Sequence, residues 1–297
     1  NYDLVIFGKS SILSKNFVRA INKNQHQTIF ITRTAEENND ILCDIGEKLH
    51  AKDIKEINLR IKQYSRFKKK IFILFSWSGG PRTSSLKESY IWSKNKNIML
   101  NFFKICTQIT PYRIIFLSSA GAIYPQNKDQ IFNELDNTEP ISNYGKQKLK
   151  AEVLLEKFSK INNIKSTILR VSSACGFDQR FSDQGVINKW LYSAIKGQNL
   201  KLYNSKKSKI NFISFQQISE ALVIALKYEL DGIYNIGSNK SYTLQEVIDN
   251  INKIMNKKNN VEIVNDEIRY FSIDTNKFAS KTGIDFDFDL KRNIKIL

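Results

Sequence analysis

Through its first 171 residues the chain alternates apolar, β-rich runs with helical patterns, and this alternation constrains the fold more than any other feature. The runs are 3–8, 28–32 (Thr-Ile-Phe-Ile-Thr), 70–75 (Lys-Ile-Phe-Ile-Leu-Phe), 113–118 (Arg-Ile-Ile-Phe-Leu-Ser) and 166–171 (Ser-Thr-Ile-Leu-Arg-Val). Helical spacing fills the gaps at 11–23, 53–66, 93–109 and 144–161. Strands that are apolar throughout are buried on both faces, as in a parallel sheet between two helical layers. Right-handed crossovers then give an α/β, doubly wound parallel sheet, which takes ligands at the carboxyl ends of its strands.

Beyond residue 171 the pattern loosens. "VINKWLYSAIKG" (186–197) and "SEALVIALKYE" (219–229) have helical spacing, while "LKLYN" (200–204) and Ile233-Tyr234-Asn235-Ile236 read as short strands. Thr243 and Glu246 form a capping box ahead of another helix. The tail "DFDFDLKRNIKIL" is mixed, and no proline- or glycine-rich linker divides the chain. The expected organisation is a sheet domain over 1–170, rejoined by about 210–237, with a smaller C-terminal α/β lobe over 171–297 packed on it.

Composition narrows the choice of partners. The net charge is +17, from 46 basic and 29 acidic residues. The charges are dispersed, with Lys68-Lys69-Lys70 and Lys206-Lys207 the densest runs and few aromatics between them. A solvated lysine surface explains this better than a nucleic-acid footprint, so no nucleic-acid partner is expected. No apolar stretch reaches the roughly 20 residues of a membrane helix, and no secretory pattern opens the sequence. Cys43, Cys106 and Cys175 are scattered and odd in number, without a CxxC or Cys/His cluster. They read as free thiols of a cytoplasmic protein without a metal site. With only His26 and His50, and no GxSxG elbow, a histidine-based nucleophile triad has no support.

Three stretches carry chemistry. "YDLVIFGKSSILSKNF" (2–17) is a strand ending at Gly8, followed by Ser11 and Ser14 where a dinucleotide fingerprint has glycines. In "SNYGKQKLKAEVLLEKF", Tyr144 and Lys148 stand four apart at a helix start and so share one face. An ammonium there, with a positively charged cofactor ring, would lower the phenol's pKa and let Tyr144 move a proton to or from a substrate hydroxyl. Upstream, "LSSAGAIYP" places Ser118 and Ser119 at the carboxyl edge of the sheet, where a hydroxyl can share the substrate's oxygen.

Taken in order, the Gly8 strand, "SSAGAIYP", "PISNYGKQKLKAE", "LRVSSACG", "INFISFQQISEAL" and "GIYNIGSNKSYTLQEV" span nearly the whole chain. Together they resemble the extended short-chain dehydrogenase/reductase superfamily, in its NAD(P)-dependent nucleotide-sugar epimerase/dehydratase branch. The resemblance implies a Rossmann-type NAD(P) domain over 1–170 and a substrate-binding lobe over 171–297. It implies Tyr144 as acid/base, Lys148 as its partner and ligand of the nicotinamide ribose, and Ser119 as the hydroxyl that orients substrate. Gly8, Ser11 and Ser14 would meet the pyrophosphate at the helix N-terminus, with Lys9, beside them, a solvated side chain. Asp44 would lie near the adenine, or else be an ordinary loop or cap aspartate. Arg33, at the end of the second strand, favours the 2′-phosphate of NADP over NAD. The implied partner is a nucleoside-diphosphate sugar, with Ser118, Ser173, Lys189 and Arg269 as candidate contacts; a homodimer is compatible with it.

The chain departs from the family pattern at three places. Four residues before Tyr124, where the family often has a serine or threonine, stands Ala120, so the hydroxyl falls to Ser119 or Ser118. Ile210-Asn211-Phe212-Ile213 lacks the arginine that often grips the substrate diphosphate, and Gln216-Gln217 replace paired aspartates. Near the C-terminus Asp274, Lys277 and Gly283 are kept but the usual arginine is not, leaving Lys189, Lys209 and Arg269 as replacements. The expected activity is that of an epimerase or 4-keto-sugar reductase. A dehydratase is disfavoured by Ala120 and Gly121, and the alternative is a non-catalytic relative that binds nucleotide or a protein partner.

Overall fold

Burial on both faces, expected from the apolar strands, is what the computed structural model shows; it describes residues 2–21, 26–34, 36–80, 88–126, 130–176 and 185–294. The chain begins β1 (Tyr2–Phe7), α1 (Ile12–Ala20), β2 (His26–Thr32), β3 (Asp40–Leu42), α2 (Ala51–Tyr64) and β4 (Lys70–Leu74). It continues α3 (Glu88–Ile109), β5 (Arg113–Ser119), α4 (Ala120–Ile123), α5 (Asn143–Ile161) and β6 (Lys165–Val171). Then come β7 (Ser173–Cys175), α6 (Val186–Ile195), β8 (Leu200–Leu202), β9 (Lys209–Ser214), α7 (Phe215–Lys227) and β10 (Gly232–Ile236). The last elements are β11 (Ser241–Thr243), α8 (Leu244–Ile254), β12 (Val261–Ile263), β13 (Tyr270–Phe271), α9 (Asn276–Thr282) and α10 (Leu290–Asn293).

Seven strands form one parallel sheet in the order β10-β6-β5-β4-β1-β2-β3. One face packs Leu4, Ile6, Ile73, Ile115 and Leu169 against α1 and α7. The other packs Val5, Phe7, Phe72, Ile114 and Phe116 against α2, α3 and α5. Consecutive strand residues thus enter opposite cores, which is why no polar alternation marks them. β1 and β4 stand side by side in the middle of the sheet, so their carboxyl ends form a crevice where ligands of such sheets bind.

A second, smaller sheet, β11-β9-β13 with β7 against β9, continues from the carboxyl end of β6. Its own core gathers Trp190, Leu191, Phe212, Val247 and Phe288. The capping box at Thr243 and Glu246 opens α8 as expected. Another, Ser214 with Gln217, starts α7 at Phe215, four residues ahead of the expected helix. β3, β7, β11, β12 and β13 are three residues or fewer, too short for a periodicity to announce them.

Candidate active site

Gly8 has φ +103°, and a Cβ there would stand 2.7 Å from the backbone nitrogen of Ser76, where the chain leaving β4 crosses over the turn. Only glycine serves in that place. Ser11 caps α1 without a side-chain hydrogen bond, and no acidic residue occupies the helix's first turn. That turn therefore has no side-chain cap, the condition under which a helix start can hold an anion. Ser14, in the place of the third fingerprint glycine, is fully buried and its hydroxyl has no partner among the described residues. The loop thus joins a glycine-only turn to an uncapped helix start, with a buried serine in the place of the third fingerprint glycine.

Lys9 corrects the sequence expectation. It is not solvated: its Nζ donates to Asp40 at 2.7 Å and lies 3.4 Å from Glu37. Asp40 also accepts the Glu36 and Glu37 N–H groups, so the pair ties the β2–β3 loop to the Gly8 turn. Arg33 is exposed on that loop, with no ion pair among the described residues. Asp44 accepts from Gly46 N–H at 2.9 Å and faces Lys94 at 3.8 Å, a turn-forming aspartate in this structure.

On the far side of the crevice, Ser142 caps α5 by accepting from Gly145 N–H. A Cβ at Gly145 would run into the Ala122 carbonyl, so glycine lets α5 close on α4. That approach brings the half-buried Tyr144 within hydrogen-bonding reach of Ser119, the last residue of β5. Burial pushes the Tyr144 phenol up to about 12, against the opposing effect of the Ser119 hydrogen bond. The lowering expected from Lys148 is thus not found in the chain itself: desolvation of the phenol outweighs it.

Lys148, 6% exposed, donates to the Leu117 carbonyl at 2.9 Å, with its Nζ 5.9 Å from the Tyr144 ring centroid. Burial lowers its pKa to about 7, while the charge of Glu152, one turn further along α5, acts to raise it. Glu152 is itself paired with Arg170 at 2.8 Å, and both are buried. Arg170 also donates to the Tyr124 hydroxyl at 2.8 Å, and Tyr124 donates to Asn235 at 3.0 Å. Sequence reasoning passed over Glu152, Arg170, Gly145 and Asn235. For Glu152 a signal existed: it repeats the four-residue spacing of Tyr144 and Lys148 on the same helix face.

The structure thus brings Ser119, Tyr144 and Lys148 together, across the crevice from Gly8. The other candidates stand elsewhere. Ser118 is 6% exposed and its hydroxyl has no partner among the described residues. Ser173 opens β7 and is half-buried, as is Lys189 on α6. Arg269 is exposed and lies 3.6 Å from Glu267. Asn211, where the family's arginine segment runs, donates to the carbonyls of Ser238 and Lys240 and is 2% exposed. It is committed to the interior. Lys277 donates to the Ile233 carbonyl, and Gly283 ends α9 in the left-handed conformation, so these retained residues serve the fold. Among the described residues no group of three or more His, Cys, Asp or Glu could hold a metal, and no helix is long and apolar enough to cross a membrane.

Known proteins share this fold. The chain is 35% identical over 167 residues to the dTDP-4-dehydro-6-deoxyglucose reductase of Escherichia coli, which covers 55% of this chain and 52% of that protein. The match therefore spans about half the length of that relative. Among solved structures, UDP-glucose 4-epimerase from Thermotoga maritima, with UDP-glucose, superposes with TM-score 0.84 at 18% identity, covering 98% of this chain and 96% of that one. The Thermus thermophilus UDP-glucose 4-epimerase complex with NAD gives TM-score 0.83 at 16% identity, over 98% and 97% of the two chains. These likenesses establish the fold. The sequence model of the NAD dependent epimerase/dehydratase family matches residues 4–237, and the chain belongs to that family.

Proposed function

We propose that the chain catalyses NAD(P)-dependent hydride transfer at a carbon of a nucleoside-diphosphate hexose, as an epimerase or as a 4-keto-sugar reductase. One observation carries this reading: Ser119, Tyr144 and Lys148 converge at the carboxyl end of β5, on the sheet edge where Gly8 turns into α1. Bound NAD or NADP supplies the hydride acceptor or donor. The chain's own part is to hold and to move a proton. The N–H groups at the start of α1 hold the pyrophosphate, and the Lys148 ammonium offers its remaining donors to ribose hydroxyls. Tyr144 would act as phenolate, its ionisation favoured by a charged Lys148 and the positive ring of the oxidised cofactor. It would take the proton of the sugar hydroxyl as the carbon bearing that hydroxyl gives up hydride, and return it when the carbonyl is reduced. Ser119 donates to that oxygen. The lobe over 171–297 takes the sugar nucleotide, with Ser173, Lys189 and Arg269 as candidate contacts there and Ser118 as one at the end of β5.

The exposed Arg33 favours NADP, since a guanidinium pairs with a 2′-phosphate. If so, Arg33→Ala weakens NADP by about 1.5–3 kcal/mol and leaves NAD nearly unchanged in calorimetric titration; equal losses would return Arg33 to the surface. The three free cysteines are in keeping with a cytosolic protein. Two assays followed by NMR test the reading itself. UDP-glucose with NAD should yield the 4-epimer without net cofactor reduction if the chain is an epimerase. A dTDP-4-keto-6-deoxyhexose with NADPH should be consumed in equal amounts if it is a reductase. Turnover in neither, with no dinucleotide co-purifying by mass spectrometry, would leave the non-catalytic alternative.

A further inference from the structure

Trp77 follows β4 and stands over Lys148. The ammonium lies 4.1 Å from the centroid of the Trp77 ring and 4.7 Å from that of Phe116, and the two rings pack 5.9 Å apart. With the Leu117 carbonyl as its one acceptor among the described residues, Lys148 has two donors left over and an aromatic box about it. The Trp77 indole N–H is buried and also without a partner among the described residues. Box and N–H together make a site short of acceptors.

The segment that carries Trp77 is fixed at both ends. Ser76 N–H donates to the Phe7 carbonyl at 2.8 Å, beside Gly8. Ser78 N–H donates to Asn95 at 2.8 Å, and Asn95 donates back to the Ser78 carbonyl and on to Gln147, the residue before Lys148. Asn95 and Gln147 are 1% and 6% exposed, so this brace is interior. One short segment therefore touches the Gly8 turn at one end and the lysine at the other. An indole held there excludes water from the ammonium and attracts it through the ring face.

We propose that Trp77 is a positioning residue for hydride transfer: its indole is the dry wall that fixes Lys148 and against which the nicotinamide riboside of the cofactor packs. This rests on the function proposed above. The unused donors of Lys148 and Trp77 match the oxygen-rich ribose, which offers hydroxyl acceptors.

Tryptophan emission of the full chain tests it, with NAD and ADP-ribose as probes and calorimetry reporting binding separately. Oxidised nicotinamide quenches tryptophan by contact, whereas ADP-ribose lacks that ring. NAD should quench part of the wild-type emission and ADP-ribose should not. In Trp77→Phe the quenching should vanish although calorimetry still shows NAD bound. In turnover, Trp77→Ala should lower kcat by about tenfold or more with a smaller change in KM, and Trp77→Phe, which restores the wall but not the N–H donor, should recover part of it. Quenching that persists in Trp77→Phe overturns the proposal, as does wild-type protein that binds NAD without quenching. If neither NAD nor NADP binds the wild type, the cofactor reading itself fails and takes this one with it.

Discussion

A single hydroxyl separates tyrosine from phenylalanine at position 144, and the proposed chemistry passes through it. The ring would still pack between α5 and β5 in Tyr144→Phe, while the proton and the bond to Ser119 are lost. Turnover should disappear and cofactor affinity should stay within a few-fold of wild type, measured by steady-state rate and titration on one preparation. Retained turnover removes Tyr144 from the mechanism. Lys148 makes a prediction about stability instead. Its folded pKa of about 7 lies below the ordinary value of 10.5, so between these two the unfolded chain binds more protons. The stability owed to this group is complete above the unfolded value and is lost as pH falls through about 7. Tyr144 acts only higher, since its pKa is raised. The unfolding free energy from urea titration should therefore increase from neutral to about pH 9, by on the order of 2 kcal/mol, and Lys148→Met should flatten that rise. An unchanged slope in the variant would assign it to other groups.

Between Gly8 and α1, the question is how a cofactor loop works with serines in place of two glycines. Ser14 is absorbed into the core, fully buried, with its hydroxyl unpartnered among the described residues. Ser11 sits at the mouth of the helix, where its side chain makes no cap bond. Ser11→Gly should then leave dinucleotide affinity unchanged or tighten it, because the backbone donors remain and one Cβ is removed. Stability should fall by up to about 1 kcal/mol. Weaker binding would instead make the Ser11 hydroxyl a phosphate ligand. The elements here were legible in the sequence because the five long strands are apolar on both faces, and because Tyr144 and Lys148 share a helix turn. What escaped has physical reasons. Strands such as β3 and β7 are shorter than any period. Lys9 finds its partner, Asp40, 31 residues away, a pairing that spacing does not encode. Trp77 touches Lys148 only because β4 and α5 meet at one crevice, so its proximity is a property of the fold and not of the local sequence.

At the scale of the molecule, one buried polar chain joins the large sheet to the smaller lobe. Glu152 on α5 grips Arg170 on β6 with three hydrogen bonds, Arg170 reaches Tyr124 after α4, and Tyr124 reaches Asn235 on β10. Asn235 then donates to the carbonyls of Phe132 and Asp274, beside the bridge between Phe132 and Ile273. Each member has its partners, which is the condition under which such a network adds rigidity. Glu152→Gln breaks it at its most costly point, leaving the Arg170 guanidinium uncompensated at 4% exposure. An unpaired buried charge of this kind costs about 3–5 kcal/mol. Adding Arg170→Met removes that charge, so the double variant should be more stable than Glu152→Gln alone, although Tyr124 loses a donor. Urea unfolding of wild type, both single variants and the double variant closes the cycle. A Glu152→Gln cost below about 1 kcal/mol would mean that water reaches the pair and that the lobes are joined by apolar packing alone. A large cost that the second substitution relieves would locate the junction in this ion pair, one helical turn from the lysine of the proposed site.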